Sequence, residues 1–149
     1  MSRGKQFRIA SELAAVPDAL AHVQSYCSTI GVPEEELSVV ELCLAEAVNN
    51  AIEHGYAGRG GEFVDVVVDY ASPTLTIAIS DRGRPLPIER LNSDALSFDP
   101  TDIAVLPERG LGLAIIHSAM DAVAYATADG VNTLTLRKRV GAGARRATS

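Results

Sequence analysis

Tryptophan is absent from the 149 residues, and no apolar run approaches the ~18 residues of a membrane span. The opening stretch, MSRGKQFRIAS, lacks the long apolar segment of a signal peptide. The expected setting is therefore the cytoplasm, with no membrane partner. Only two cysteines are present, Cys27 and Cys43, with neither CxxC spacing nor a histidine pairing that would suggest zinc. They read as free, packed thiols in a reducing compartment. An excess of positive charge is also lacking. The formal net charge is −6, so the chain as a whole is not built to attract nucleic acid or anionic lipid. Any anion it binds must be held by a local arrangement.

What is present suffices for one domain with its own core. The expected division is a single domain over residues 1–140 and a flexible tail over 141–149, because GAGARRATS is small, basic and rich in Gly and Ala. Residues 6–9 suit a short first strand. Apolar positions at helical period predict a helix from Pro17 to about Ile30, with Gly31 ending it. Pro33 and three glutamates then open a longer helix that runs to about His54, with Gly55 as its C-cap. EFVDVVVDYA and TLTIAISD read as two strands joined near Ser72 and Pro73. Residues 82–109 carry four prolines and no sustained period, which marks a lid or binding loop. RGLGLAIIHSAM begins another helix. AVAYAT and NTLTLRKRV form a closing hairpin with its turn at Asp129 and Gly130. The order β-α-α-β-β-loop-α-β-β argues for an α/β (α+β) two-layer sandwich, helices on one face of a mixed, mainly antiparallel sheet.

Three motifs stand out. In LAEAVNNAIEHG, residues 44–55, Glu46, Asn50 and His54 recur every fourth residue on an otherwise apolar helix. Buried without partners they would cost several kcal/mol, roughly 2–7 each. Either they meet solvent or protein groups, or they line a cleft. In a cleft, the Asn50 amide oxygen suits Mg²⁺, and a carboxylate one turn away can take or orient a proton. His54 has a plainer reading as a group packed at the helix end. In ISDRGRPLP, residues 79–87, Asp81 ends a strand and Gly83 follows. The aspartate could accept a hydrogen bond from an exocyclic amine such as that of adenine, although Asp, Gly and Pro also make ordinary turns. In RGLGLAII, residues 109–116, Gly110 and Gly112 sit where a loop becomes a helix. Their amides and Arg109 suit phosphate, although a lone GxG is weak and no GxxxxGK[ST] is present.

The order of these motifs resembles that of the GHKL (HATPase) superfamily, whose nucleotide-binding domain is the Bergerat-type fold. EAVNNAIEHGY is similar to its N box, SDRGRPLP to its G1 box and RGLGLAII to its G2 box. Within the superfamily the chain most resembles the stand-alone anti-sigma factor serine-protein kinases of the RsbW and SpoIIAB type, from FRIAS to LRKRV. The resemblance implies a Mg²⁺- and ATP-dependent serine/threonine kinase that also switches partners. It implies Glu46 as general base or hydroxyl-orienting group and Asn50 as the Mg²⁺ ligand. His54 would lie on the nucleotide side. Asp81 would bind the adenine amine, with Thr133 beside it and Gly83 letting the base approach. Gly110, Leu111, Gly112 and Leu113 would form the phosphate-facing turn, and Arg109 would reach the terminal phosphates. Residues 84–109 would be the lid, with Pro85 standing where many relatives have glycine. The implied partners are a STAS-domain antagonist as substrate, a sigma factor, and a second copy through residues 6–30. A domain that binds ATP or ADP and grips partners without transfer is the alternative.

Overall fold

The structure is a computed structural model that describes residues 4–86 and 108–141, with side chains described for 4–86 and 113–141. Five strands and three helices are present among these residues. They are β1 (Lys5–Ala10), α1 (Val16–Ile30), α2 (Glu34–Asn50), β2 (Phe63–Ala71), β3 (Thr74–Asp81), α3 (Glu108–Ala119), β4 (Ala122–Ala128) and β5 (Val131–Arg139). A 3-10 turn at Leu13–Ala15 precedes α1, and a π-helical turn at Ala51–Gly55 extends α2. Most of the expected lid, and the tail from residue 142, lie outside the described residues.

The sheet order is β1-β2-β3-β5-β4, and every pairing is antiparallel. Sequence pattern predicts the hairpins because strand residues alternate. Val64, Val66 and Val68 of β2, Leu75, Ile77 and Ile79 of β3, and Leu134 and Leu136 of β5 are all buried. The alternate residues lie on the other face. The β4–β5 turn has positive φ at both Asp129 and Gly130, the geometry a two-residue hairpin needs to match strand twist.

All three helices cover the buried face, with α2 packed between α1 and α3. The helix α1 buries Val16, Ala19, Val23 and Cys27, spaced three or four apart. It stops at Gly31, whose φ of 82° is the left-handed cap that glycine takes most readily. Pro33 caps α2, and Glu34, Glu35 and Glu36 occupy its first, electropositive turn. Leu37, Val40, Leu44 and Val48 then reach the core. Truncating Leu44, which is fully buried, to alanine would cost about 2–5 kcal/mol. Both cysteines are buried and free, and burial pushes each thiol up to about 11, so neither is a ready nucleophile.

The end of α2 differs from the expectation of a glycine cap after His54. The helix widens after Asn50, and the Tyr56 amide donates to Ala51 O, five residues back, at 3.1 Å. Gly55 closes this π turn and does not take a positive φ. Its need for glycine is spatial: a Cβ there would stand 2.9 Å from Asp81 Oδ1. The helix end is thus shaped to the end of β3.

Candidate functional site

The first two motifs meet where α2 crosses the end of β3. Ala47, Asn50 and Ala51 from α2, Gly55 from the π turn, Ile79 and Asp81 from β3, Arg84 and Leu86 beyond it, Tyr125 from β4 and Leu134 from β5 line one cavity. Its volume is about 10 Å³, close to the room that one water needs.

Asp81 is held by its own chain. Its Oδ1 accepts the Gly83 amide and the Asn132 side-chain amide, both at 2.9 Å. No partner among the described residues binds Oδ2, so an incoming amine finds one free carboxylate oxygen. Burial raises the Asp81 pKa above the ordinary carboxylate value, and the hydrogen bonds from Asn132 and Gly83 pull it back. Asn132 itself is 1% exposed. Its amide nitrogen donates to Asp81 and to Gly83 O, at 2.9 Å each, and its oxygen accepts from Thr127 Oγ1 at 2.8 Å. Both donor hydrogens are used within the protein. Asn132 therefore positions Asp81 and does not itself offer a hydrogen to a ligand.

This corrects the expectation that Thr133 lies beside Asp81. β5 alternates, so Asn132, Leu134 and Leu136 face the helices and Thr133 faces away. Thr133 Oγ1 lies 2.9 Å from Ser80 Oγ on the helix-free face. A period-two reading of NTLTL, with its leucines inward, puts the asparagine inward too. That was the available signal.

Gly83 also has a different neighbour from the one expected. A Cβ at residue 83 would fall on the Gly55 carbonyl, so glycine here admits the α2 end, not only a base. The Arg84 amide donates to that same Gly55 carbonyl at 2.7 Å, and Arg84 Nη2 lies 3.4 Å from His54 O. Tyr56, 2% exposed, secures the next link: its hydroxyl donates to Phe63 O at 2.7 Å and accepts the Arg82 amide at 2.8 Å. Leu86 packs against the core, and its amide donates to Tyr125 Oη at 2.8 Å. Sequence reasoning assigned no role to Tyr56, Tyr125, Leu86, Thr127 or Asn132.

Asn50 stands opposite in character. It is 7% exposed, and its Nδ2 is buried with no hydrogen-bond partner among the described residues. An orphaned amide costs roughly 1–3 kcal/mol, and turning it over presents an oxygen at the same place. Glu46 lies half-buried one turn earlier on α2. His54 falls within the π turn, which alters the angular step that would stack it on Asn50. Among the described residues no group of three or more His, Cys, Asp or Glu could hold a metal by itself. The orphaned Asn50 amide fits a Mg²⁺ that takes one protein ligand and completes its shell with water and phosphate.

The third motif lies in the first turns of α3, which includes Arg109, Gly110, Leu111 and Gly112. Their side chains lie outside the described residues. The Leu113 side chain is in the core, at 1% exposure, so a ligand could meet only its backbone.

The family model for the histidine kinase-like ATPase domain matches residues 9–138, which contain all three motifs. The chain belongs to this family. Among curated relatives, an anti-sigma F factor from Clostridium acetobutylicum is 30% identical over 119 residues, covering 78% of this chain and 79% of that protein. The serine-protein kinase RsbW of Staphylococcus aureus is 29% identical over 115 residues, covering 76% and 72%. In structure, this histidine kinase-like ATPase domain is similar to the RsbU and RsbW domains of Rv1364c from Mycobacterium tuberculosis. That likeness has a TM-score of 0.61 at 19% identity, over 93% of this chain and 32% of that longer one. It is also similar to a chain of the SiaB-SiaC complex from Pseudomonas aeruginosa, with a TM-score of 0.60 at 17% identity, over 91% and 89%. These two likenesses concern the fold. Membership implies ATP binding, and the relatives support an anti-sigma, kinase-type regulator. No helix among the described residues is long and apolar enough to cross a membrane.

Proposed function

We propose that this domain binds ATP in the cavity between α2 and β3 and transfers its γ-phosphate to a serine or threonine of a STAS-domain partner. Transfer would control which partner it holds, a sigma factor being the other candidate. The carrying observation is the pairing of two groups on one cavity: Asp81, whose Oδ2 has no partner among the described residues, and Asn50, whose buried amide has none among them either. Asp81 takes the adenine amine. Asn50 holds Mg²⁺, which neutralises phosphate charge when bound. Glu46 accepts or orients the proton of the acceptor hydroxyl. Arg109 and the amides of Gly110, Leu111, Gly112 and Leu113 meet the phosphates, and His54 borders the nucleotide through the α2 end. A cytoplasmic setting, a single domain over 1–140 and a homodimer complete the reading.

The test is incubation with Mg²⁺ and γ-labelled ATP, adding STAS-domain proteins from the same source one at a time. Stable label on a serine or threonine is expected. Glu46→Ala is expected to bind nucleotide normally, by calorimetry, while transfer falls at least a hundredfold, roughly the low end for a lost general base. Loss of binding and transfer together would make Glu46 structural. A second reading, a nucleotide-gated binding module without transfer, draws support from the relative named as an anti-sigma factor. Binding without label would favour it.

A further inference from the structure

Tyr56 leaves the π turn with its backbone and its hydroxyl all engaged. Its amide closes the turn on Ala51 O at 3.1 Å, and its carbonyl accepts the Arg59 amide at 2.9 Å. An uninterrupted α-helix would send the Tyr56 amide to Ile52 O. Here Ile52 O takes the Gly58 amide instead, at 3.0 Å. The extra residue in the turn changes the direction in which Tyr56 leaves α2. Its ring is buried and its hydroxyl reaches the end of the sheet.

That hydroxyl stands in for a rung of the β2–β3 ladder. The register pairs Asp65 with Ser80, so two residues further on Phe63 stands opposite Arg82. The Arg82 amide and the Phe63 carbonyl are joined through the phenol oxygen, at 2.8 and 2.7 Å. A cavity of about 140 Å³, bordered by Tyr56, Phe63, Ser80 and Arg82, adjoins it. On the other edge, β5 still pairs with Asp81 through Asn132. The end of β3 is therefore held by a strand on one side and by a side chain on the other.

Asp81 is one bond away from this contact. The Arg82 N–H belongs to the peptide plane that begins at Asp81 Cα, so a hydrogen bond to it fixes the rotation of that plane. The rotamers open to Asp81 depend on that rotation. The three amides after Asp81 are all engaged: Arg82 with Tyr56 Oη, Gly83 with Asp81 Oδ1, and Arg84 with Gly55 O. Only the first of these partners is a side chain other than that of Asp81, so it alone can be changed with the carboxylate and the backbone left in place. Burial raises the Tyr56 pKa, the Arg82 amide lowers it in part and the Asp81 charge raises it again, so the hydroxyl keeps the proton that it gives to Phe63 O.

We infer that Tyr56 is a positioning residue for base recognition: its hydroxyl, set in the ladder, fixes where the Asp81 carboxylate stands, and with it the preference for a base that carries an exocyclic amine. The inference rests on the assignment of Asp81 to the adenine amine. A fixed carboxylate bonds that amine and repels a carbonyl oxygen in the same place. One free to turn aside loses part of the bond and part of the repulsion.

The experiment is calorimetric titration of the full chain with Mg²⁺ and either ATP or inosine triphosphate, whose base has a carbonyl oxygen in place of the amine. Circular dichroism confirms folding. Wild type should prefer ATP about a hundredfold. Tyr56→Phe keeps the ring and removes the hydroxyl. It should bind ATP about tenfold more weakly, and inosine triphosphate as tightly as wild type or more so. A merely structural loss weakens both alike. Because Tyr56 acts through Asp81, the double variant with Asp81→Asn should bind ATP within about threefold of Asp81→Asn alone. In the wild type, exchange of the Arg82 amide with solvent should slow about tenfold more at saturating ATP than at saturating inosine triphosphate. A wild type that binds both nucleotides alike, or neither, would remove the role of Asp81 and the inference with it. A Tyr56→Phe that discriminates as well as a discriminating wild type would overturn the inference alone. So would losses that add in the double variant, or equal protection of Arg82 by the two nucleotides.

Discussion

The two ends of the cavity are built on opposite plans. At the β3 end, the chain has already spent nearly all its polar capacity. Asp81 Oδ1 has two donors, both Asn132 amide hydrogens are used, and the Gly55 carbonyl holds the Arg84 amide. At the α2 end, Asn50 is buried with an amide nitrogen that no described residue satisfies. The first end is preorganised: it presents one free carboxylate oxygen in a fixed place before a ligand arrives. The second tolerates a standing cost that a ligand with its metal would relieve. A nucleotide has the same asymmetry, a rigid base and a charged, hydrated phosphate chain. A rigid acceptor suits the first part and an unsatisfied group suits the second.

The sharpest way to break the preorganised end is Gly83→Ala. The added carbon falls on the Gly55 carbonyl, a backbone atom of the helix end, so no side-chain rotation relieves it. The expected loss of stability is about 3 kcal/mol, at the upper end for overpacking, read from urea denaturation. Nucleotide affinity should fall with it. A variant as stable as wild type would show that the β3 loop is not docked on α2.

Asp81→Asn should separate binding from folding. An amide in place of the carboxylate offers a donor, or a weaker acceptor, to the adenine amine. Affinity should drop about a hundredfold, or ~2.7 kcal/mol, by calorimetry. Stability should not drop. Burial raises the Asp81 pKa, so the folded protein holds this proton more tightly than the unfolded chain does. Ionisation therefore costs stability as pH rises from the ordinary carboxylate range through the raised value. The sign for binding is opposite: recognition of an amine needs the carboxylate, so affinity is full above the raised pKa and is lost as pH falls through it. In Asn132→Ala one hydrogen bond that favours the ionised form is gone. The midpoint of that pH profile should move upward. An unmoved midpoint would deny Asn132 its positioning role.

At the other end, Asn50→Leu removes the orphaned amide. The fold should be unchanged or more stable, by about 1 kcal/mol, while Mg²⁺-dependent nucleotide binding is lost. Destabilisation measured by thermal denaturation would mean that the amide is satisfied in solution and that the two ends are less different than they look.

The same contrast decides what could be read from the sequence. The elements were legible because their signals are local: alternating valines in β2, the Pro33–Glu36 helix start, and the Asp129–Gly130 turn. The meeting of Asn50 with Asp81 on one cavity was expected from motif order, through resemblance. What the sequence did not reveal is which neighbour justifies each residue. Gly55 reads as a helix cap, yet it makes room for Asp81. Gly83 reads as room for a base, yet it abuts Gly55. Both depend on contacts between segments nearly thirty residues apart. The π turn was equally hidden, since no residue in AIEHG announces a wider helix. Thr133 stands one residue from Asn132, the residue that meets Asp81, and in a strand one residue changes the face.

The smallest expected effect concerns Leu86, where the preorganised end is closed. Its amide is held by Tyr125, its side chain packs on the core, and it lines the cavity that now has room for about one water. Leu86 lines the cavity beside Asp81 and packs on the core there, so a purine entering is expected to displace its side chain from that apolar contact. Leu86→Ala removes most of that contact without touching Asp81, Asn132 or Asn50. Closing then gains less, and a larger fraction of the protein stands open to nucleotide. Affinity should rise about three- to tenfold, chiefly through faster association, as read by stopped-flow with a fluorescent nucleotide. Weaker binding would reverse the assignment: Leu86 would then be a wall that the bound base rests against, and the closed cavity a form that opens without losing this contact.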